Sequence, residues 1–507
     1  MILTLILLPI LTALAMLIIH SAAARRILLI LTAVSHLACT VSAWMVQPSP
    51  ALDGWLMLDA MGLLFLSITS VLFLIVSLYV LGYLHREEWG KRQDFEEGFL
   101  FTNSRESTFL CCLLLFLGMM TTVTVSQHFG LIWVAVEATT LTSAPLIYFH
   151  RHRRSLEATW KYIMICSVGI ALALLGNFFL AVASTLAEND HVPMLVSSLI
   201  ESAPKLHIPW LKAAFLFLLV GYGTKLGLAP MHTWLPDAHS ESPSVISALL
   251  SGALLNCAFL AILRAQQVCT AAGHGPFSRN LMLGFGLFSM TIAASFILRQ
   301  ADFKRMLAYS SVEHVGILSL GAGLGGVYAG YGTMLHAINH SLSKGMLFLV
   351  AGNILAVYQN KSTQKIGGIL RVLPVSGVLW VMGFLAITGF PPFGGFLSEL
   401  IILKSALDQG QFGIAAVYLL ILCIIFVGMA TVVLRMAQGE PRGLPADMPV
   451  QPAGEGHVHP SIFFAGESLL AVIPPMILGA VLLMLGVYIP PSLHQVLGQA
   501  AKTIGAY

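Results

Sequence analysis

Lys225 is a charged residue in a segment that otherwise predicts a membrane span. It follows the apolar run LKAAFLFLLV and stands in GYGTKLGLAPMHTWLP, where Pro230 and Pro236 interrupt the helical pattern. An ionisable group inside a span costs about 2.5–3.5 kcal/mol on insertion scales, so it usually faces the bundle interior and marks an ion or proton path. The sequence therefore indicates buried acid–base chemistry beside a broken helix.

Further ionisable residues lie in other apolar segments. Glu137 lies in LIWVAVEATTLTSAPLIYF, and Glu399 lies in GFLSELIILK. His336, His340 and Lys344 follow one another at i, i+4 and i+8, which places all three on one helix face with about 6 Å between neighbours. Because histidine titrates near neutral pH, a water-bridged row of this kind is suited to carrying protons.

The charges together predict a proton relay. Glu137 is expected to pair with Lys225 and to keep the lysine charged, and weakening of the pair releases a proton towards the histidine row. Glu399 is then the exit or the next relay group. A static ion pair that fixes helix packing is the alternative interpretation of the first pair. Five residues are possible further relay groups, although a packing role fits His314 equally well: Glu313, His314, Lys404, Ser251 and Asn256.

No metal site is predicted at the histidines. No carboxylate or cysteine is spaced with His336 and His340, and Lys344 on the same face disfavours a bound cation. The seven cysteines contain no CxxC or ferredoxin-type spacing, and no glycine-rich nucleotide motif stands in a strand–turn–helix setting. We expect no cofactor in this chain, so energy for transport must come from a gradient or a partner.

The composition predicts an all-α integral membrane protein. The 507 residues are 57% hydrophobic and 10% charged, against roughly 25% charged in soluble domains. The net charge of +3 is too small to indicate a nucleic-acid partner. Because a spanning helix needs roughly 20 apolar residues, the pattern predicts fourteen spans, the first of them a retained helix: 1–19, 27–46, 56–83, 108–126, 129–148, 159–185, 210–235, 243–264, 281–298, 306–324, 327–356, 372–403, 412–436 and 465–490.

Two of the predicted spans contain helix breaks. The seventh has Pro230 and Pro236, and the twelfth has Pro391 and Pro392 with two glycines after them. The breaks are five helices apart, so two five-helix units in tandem have opposite orientations, as in inverted-repeat transporters. This predicts four parts: 1–107 (helices 1–3), 108–264 (helices 4–8), 281–436 (helices 9–13) and 465–507 (helix 14 and tail).

The basic residues predict the orientation in the membrane. About 16 Lys and Arg residues lie in the loops that follow odd-numbered helices, against about 4 in the other loops and both termini. Since basic residues accumulate on the cytoplasmic side, both termini are expected outside a bacterial cytoplasmic (inner) membrane.

These motifs resemble a known family of membrane subunits. TKLGLAPMHTWLPDAHSESP, with Glu137 two helices earlier, is followed by LAYSSVEHVGILSLG and HAINHSLSKGMLFLVAG. The chain resembles, from about residue 56 to 436, the antiporter-like subunits of respiratory complex I, Mrp-type cation/proton antiporters and membrane-bound nickel–iron hydrogenases. The resemblance implies a controlling pair at Glu137 and Lys225, and relay residues at His336, His340, Lys344 and Glu399.

The eighth helix departs from the pattern of this family. Many members have a lysine or histidine there as a bridge between two half-channels, whereas VISALLSGALLNCAFLAILR offers only Ser251 and Asn256. A neutral group holds water but stores no proton. Either water bridges the halves or transfer is less efficient than in complex I, and a scaffold without conduction is the third interpretation.

Within the family, VEATTLTSAPLIYFHRHRRSLEATWKY is most similar to the F subunit of hydrogenase-4 and formate hydrogenlyase complexes. This implies a proton-translocating subunit, with nickel–iron and iron–sulfur centres in partner subunits. The implied partners are other membrane subunits and a peripheral cytoplasmic hydrogenase-like module. The alternatives are a subunit of complex I, of an Mrp-type antiporter or of a proton-driven inorganic-carbon accumulation system.

Overall fold

The protein is a bundle of α-helices with one small β-hairpin, as seen in a computed structural model that describes residues 1–87, 90–94, 98–188, 192–444 and 467–505. The elements are, in chain order, α1 (Ile2–Ile18), α2 (Ala22–Met45), α3 (Ala60–Arg86), β1 (Lys91–Gln93), β2 (Leu100–Thr102), α4 (Glu106–Val125), α5 (Phe129–Ile147), α6 (Arg153–Glu188), α7 (Val196–Glu201), α8 (Ile208–Leu226), α9 (Trp234–Glu241), α10 (Ser244–Leu249), α11 (Leu255–Ala271), α12 (Gly275–Ile297), α13 (Phe303–Leu324), α14 (Gly326–Tyr358), α15 (Ile369–Val372), α16 (Pro374–Ile387), α17 (Gly394–Asp408), α18 (Phe412–Ala437), α19 (Leu469–Val487) and α20 (Pro491–Gly505).

A helix or a pair of helices lies at each of the fourteen predicted spans. Within the described residues, eleven helical stretches are long and apolar enough to cross a membrane, and α1 and α16 are shorter apolar helices. The helical membrane fold is thus confirmed, whereas the count of fourteen spans stays a prediction. The C-terminal part expected at 465–507 begins and ends outside the described residues.

The seventh span is broken between α8 and α9. Gly227 ends α8 with φ 89, in the left-handed region where glycine has no steric penalty. The break frees carbonyl groups, and the indole nitrogen of Trp234 donates to the Thr224 carbonyl at 2.8 Å. Pro230 lies in the break, but Pro236 stands in the first turn of α9, where a proline is tolerated because its missing N–H has no helical partner.

The twelfth span is broken between α16 and α17. Gly389 has φ 63 and follows the end of α16, and Pro391 and Pro392 precede the start of α17. A Cβ on Gly389 would overlap the Glu399 carboxylate, so this glycine leaves the space in which the carboxylate lies. The predicted pair of broken helices is therefore present, each with a buried charge beside it.

The eighth span contains a single π-helical turn at residues 250–254, between α10 and α11. Such turns widen the helix and leave the i→i−4 hydrogen-bond pattern, and they often occur at functional sites. The turn packs against α3 and α14, and its Gly252 allows this close approach, since a Cβ there would overlap Leu72 and crowd the Ser341 carbonyl.

Charged loops meet at one end of the bundle, which we call the basic end. Isolated antiparallel β-bridges of the backbone join Asn103 to His150 and Asp302 to Ser362 there. Arg154 pairs with Asp94 at 2.8 Å. All of these residues lie in, or next to, the loops that carry the excess of lysine and arginine.

An ion pair ties helices together at the opposite end. Asp59 caps α3 by accepting from the Gly62 N–H at 3.0 Å, and its two oxygens accept from Arg264 at 2.6 Å each. Burial raises the pKa of Asp59, but the Arg264 charge and the hydrogen bonds outweigh it and hold this pKa below its usual value. The side chain of Arg264 is only 2% exposed, so it depends on this carboxylate.

Asp59→Asn is expected to lower the free energy of unfolding by about 3 kcal/mol, because it leaves the buried Arg264 without its counter-charge. The lowered pKa of Asp59 adds stability above the unfolded-state pKa, and that stability is lost as the pH falls through the folded-state pKa. Thermal unfolding in detergent between neutral pH and about pH 3 should therefore show an acid-sensitive part that the variant lacks. The exposed Asp53 provides the control, and an equal effect of Asp53→Asn would contradict the prediction.

Candidate functional site

Lys225 is fully buried in the last turn of α8, beside the first helix break. Its Nζ atom donates to Thr140 Oγ1 at 2.7 Å and to the Tyr162 hydroxyl at 2.6 Å. The same Nζ lies 4.5 Å from the centre of the Tyr162 ring. Two hydroxyl groups and an aromatic face thus hold the amine in an otherwise apolar region.

Glu137 is linked to Lys225 through a hydroxyl group and not by direct contact. Thr140 Oγ1 donates to Glu137 Oε2 at 3.2 Å while it accepts from Lys225. Ser167 donates to the other carboxylate oxygen at 3.0 Å. The expected direct ion pair is therefore corrected to a three-member chain, since Thr140 stands one turn after Glu137 on α5 and fills the gap. A hydroxyl that accepts from an amine and donates to a carboxylate can pass a proton between them.

Thr140→Val is expected to slow proton translocation about tenfold, because it removes the hydroxyl between the amine and the carboxylate and keeps the side-chain volume. The measurement is acidification in proteoliposomes that contain the intact complex under an imposed membrane potential. Thr142→Val is the matched control, since Thr142 on the same helix donates only to backbone carbonyls. Equal rates in the two variants would show that the bridge has no part in transfer.

The predicted row on α14 faces α13 and the π-helical turn. His336 Nε2 lies 2.9 Å from His314 Nδ1, and His336 Nδ1 lies 3.1 Å from Ser398 Oγ. His340 lies next, with its ring centre 5.2 Å from that of His314 and its Nε2 at 3.3 Å from the Ser251 carbonyl. All of these side chains are buried.

Lys344 ends the row. Its Nζ donates to the Leu307 carbonyl at 2.7 Å and to the Ser310 hydroxyl, and the residue is fully buried. Glu313 lies on α13, the helix that carries those two acceptors, and is 2% exposed. The structure thus places Glu313 and His314, both possible relay residues, against the row.

Glu399 approaches the histidines from α17. One ligand atom each of His314, His336 and Glu399 lie within 4.8 Å of one another, and all three residues are buried. Two imidazoles and a carboxylate are also a zinc-type donor set. The expectation of no metal site rested on spacing along one helix, whereas folding brings the carboxylate in from another. The imidazoles bond to each other and to Ser398 Oγ, an arrangement that also suits proton transfer.

The remaining candidates separate into two groups. Ser251 Oγ lies 2.8 Å from Ser311 Oγ, and Asn256 Nδ2 donates to Ser341 Oγ at 2.7 Å, so both neutral residues contact the helices of the row. The structure does not bring Lys404 to the cluster. Its side chain is 55% exposed and pairs with Asp408 one turn later on α17.

The sequence interpretation missed Thr140 and Tyr162, which the structure places at Lys225, and the buried His239, which stacks on Phe348 of α14. Thr140 had a detectable signal, since it stands three residues after Glu137 on the same helix face. Tyr162 had no such sequence signal, because a tyrosine in an apolar run is usually a packing residue. His239 is in the quoted motif PDAHSE and is fully buried, but its partner elements are distant in the sequence.

A broken-helix membrane bundle with buried, hydrogen-bonded charges defines a class of ion-translocating membrane subunits. Residues 126–425 match the family described as NADH:quinone oxidoreductase/Mrp antiporter, transmembrane, and the chain belongs to that family. The chain is an antiporter-like membrane subunit of the hydrogenase-4, Mrp or complex I type.

The chain is similar to several known members of this family. The chain is 39% identical to a hydrogenase-4 component F homolog of Methylacidiphilum infernorum, over 63% of this chain and 67% of that protein. It is 30% identical to hydrogenase-4 component B of Escherichia coli, over 72% of this chain but only 52% of the relative. In fold it is similar to a chain of the Mrp complex of Dietzia sp., with a TM-score of 0.80, 20% identity, and coverage of 99% of this chain and 97% of that one.

Proposed function

We propose that the chain moves protons across the bacterial cytoplasmic membrane through two clusters of polar side chains inside the helix bundle. The first consists of Glu137, Thr140 and Lys225; the second consists of His314, His336, His340, Lys344 and Glu399. The observation that carries the proposal is the fully buried amine of Lys225 beside a helix break, joined to Glu137 by one hydroxyl. Burying an ionisable group in a membrane span costs free energy, so its presence indicates a role in ion or proton movement.

The mechanism is electrostatic. While the Glu137 carboxylate is charged and linked through Thr140, it favours the ammonium form of Lys225. When that link weakens, the burial of Lys225 favours the neutral amine, and the lysine releases its proton. In the second cluster the proton moves along the imidazoles to Glu399 and leaves beside the second break. Each half corresponds to one five-helix unit, 108–264 or 281–436, which supports the proposed domain boundaries.

The partner complex is proposed to be hydrogenase-like. The similarity to hydrogenase-4 components supports this assignment. Nickel–iron and iron–sulfur centres would lie in a peripheral module at the basic end, which we place in the cytoplasm, with both termini outside. An Mrp-type or complex I-type complex would use the same transport chemistry with another partner.

The proposal is tested by gentle detergent extraction of the tagged chain and identification of the proteins that purify with it. A hydrogenase large subunit with iron–sulfur proteins supports the proposed complex. An NADH-oxidising module, other antiporter subunits or a carbonic-anhydrase-like protein would overturn it in favour of one of the alternative complexes.

A further inference from the structure

His239 is a buried histidine that the two clusters do not use. It lies in α9 and is fully buried, and neither ring nitrogen has a hydrogen-bond partner among the described residues. Its ring stacks on Phe348 with 5.0 Å between centres and 13° between planes. An unpaired buried polar group costs about 1–3 kcal/mol, so two on one ring call for a functional or water-mediated role.

A cavity with several charged lining residues lies next to the chain segment that follows His239. It has a volume of about 390 Å³ at the basic end, and its lining includes Ser240, Glu241 and Ser242, which immediately follow His239. Lys304 also lines it, and its Nζ donates to the carbonyls of Ser240 and Ser242 at 3.1 and 2.6 Å. Since a water molecule occupies roughly 30 Å³ of liquid, the cavity has room for several.

The other side of His239 faces the second cluster. Phe348, on which the ring stacks, follows Lys344 by four residues on α14 and therefore shares its face. His239 therefore lies between the cavity and the end of the relay row.

We propose that His239 carries protons from this cavity to Lys344, a step that rests on the proposed function. A hydronium ion in the cavity water gives one proton to a ring nitrogen of the neutral imidazole and becomes water. The resulting imidazolium gives one proton to the neutral amine of Lys344, which becomes an ammonium group, and neutral imidazole is restored. One proton enters, one leaves, and no electrons move.

This route explains how the second half can work with a neutral eighth helix. Ser251 and Asn256 store no proton between the halves, so the second half needs another supply. His239 provides the proton from the broken seventh helix at the basic end, while the charge of Lys225 in the first cluster controls when translocation proceeds.

The first test compares His239→Gln with His239→Glu in proteoliposomes of the intact complex under an imposed potential. Glutamine does not titrate, so the rate of proton translocation in His239→Gln should fall about tenfold. The deuterium isotope effect on that rate should rise, because proton delivery becomes the limiting step. Glutamate retains an acceptor beside two lysines and should keep the rate within about threefold of the native protein. His232→Gln, on the same broken segment, is the control and should leave the rate unchanged. A native rate in His239→Gln, or equal losses in Gln and Glu with an unchanged isotope effect, would overturn the proposal.

The second test leaves His239 intact, in case its substitution prevents assembly. Ala356 is an exposed residue that lines the cavity, so Ala356→Cys offers a thiol for a methanethiosulfonate reagent that fills the space. Labelling should inhibit translocation, reductant should restore it, and the native protein with its own seven cysteines should be unaffected. Full activity after complete labelling would exclude this cavity as the route.

A parallel Lys225→Met sample distinguishes a failure of the His239 route from a failure of the proposed function. If Lys225→Met abolishes translocation while the His239 and Ala356 variants do not affect it, only the additional route is wrong. If Lys225→Met conducts normally, the proposed function itself fails.

Discussion

Lys225→Met should reduce proton translocation by at least about 100-fold while the complex remains assembled. Methionine has nearly the length of lysine and fits the apolar surroundings, so packing in α8 is preserved. What disappears is the titratable amine that donates to Thr140 and Tyr162. Those two hydroxyl groups can still bond to their other partners, Glu137 and Ser143, so no buried donor is left unpaired. The measurement is acidification in proteoliposomes under an imposed potential, with co-purified subunits as the assembly readout.

Lys212→Met is the matched control, because Lys212 lies on the same helix α8 and contacts the Phe277 ring at 5.4 Å, away from Glu137. We expect it to conduct at the native rate. A native rate in Lys225→Met would make the buried amine a packing element and would favour the scaffold interpretation. Loss of assembly in Lys225→Met alone would instead favour the static ion pair.

The sequence was sufficient for the elements that depend on local composition. Apolar length predicts the helices, and prolines with glycines predict both breaks, because these signals act within one stretch of chain. The row of His336, His340 and Lys344 follows from helical geometry alone. These features required no knowledge of how helices pack.

Features that depend on packing between distant segments could not be predicted. The carboxylate of Glu399 reaches His314 and His336 from a helix more than 60 residues later in the chain, so no spacing within α14 reveals it. The π-helical turn that directs the Ser251 carbonyl to His340 has no sequence signal either. The pair of Glu137 and Lys225 was predicted as direct because charge alone does not reveal an intervening hydroxyl.

Glu399→Gln is expected to stop proton release from the second cluster, with a loss of at least about 100-fold in translocation. Glutamine preserves the shape of the side chain and its contact with the Gly389 backbone, but it neither takes a proton from His314 or His336 nor releases one. Asp408→Asn is the control, since Asp408 ends the same helix and pairs only with the exposed Lys404 in the described structure. Native conduction in Glu399→Gln would place the exit elsewhere.

Gly389→Ala provides an independent approach to the same step, because it leaves every titratable group in place. The added Cβ would overlap the Glu399 carboxylate, and φ 63 is strained for alanine, so the carboxylate must move away from the two histidines. We expect a loss of conduction that approaches that of Glu399→Gln, and no further loss in the double variant. If the conduction losses of Gly389→Ala and Glu399→Gln instead multiply in the double variant, Gly389 acts through the helix break itself. The position of the Glu399 carboxylate then does not limit proton release.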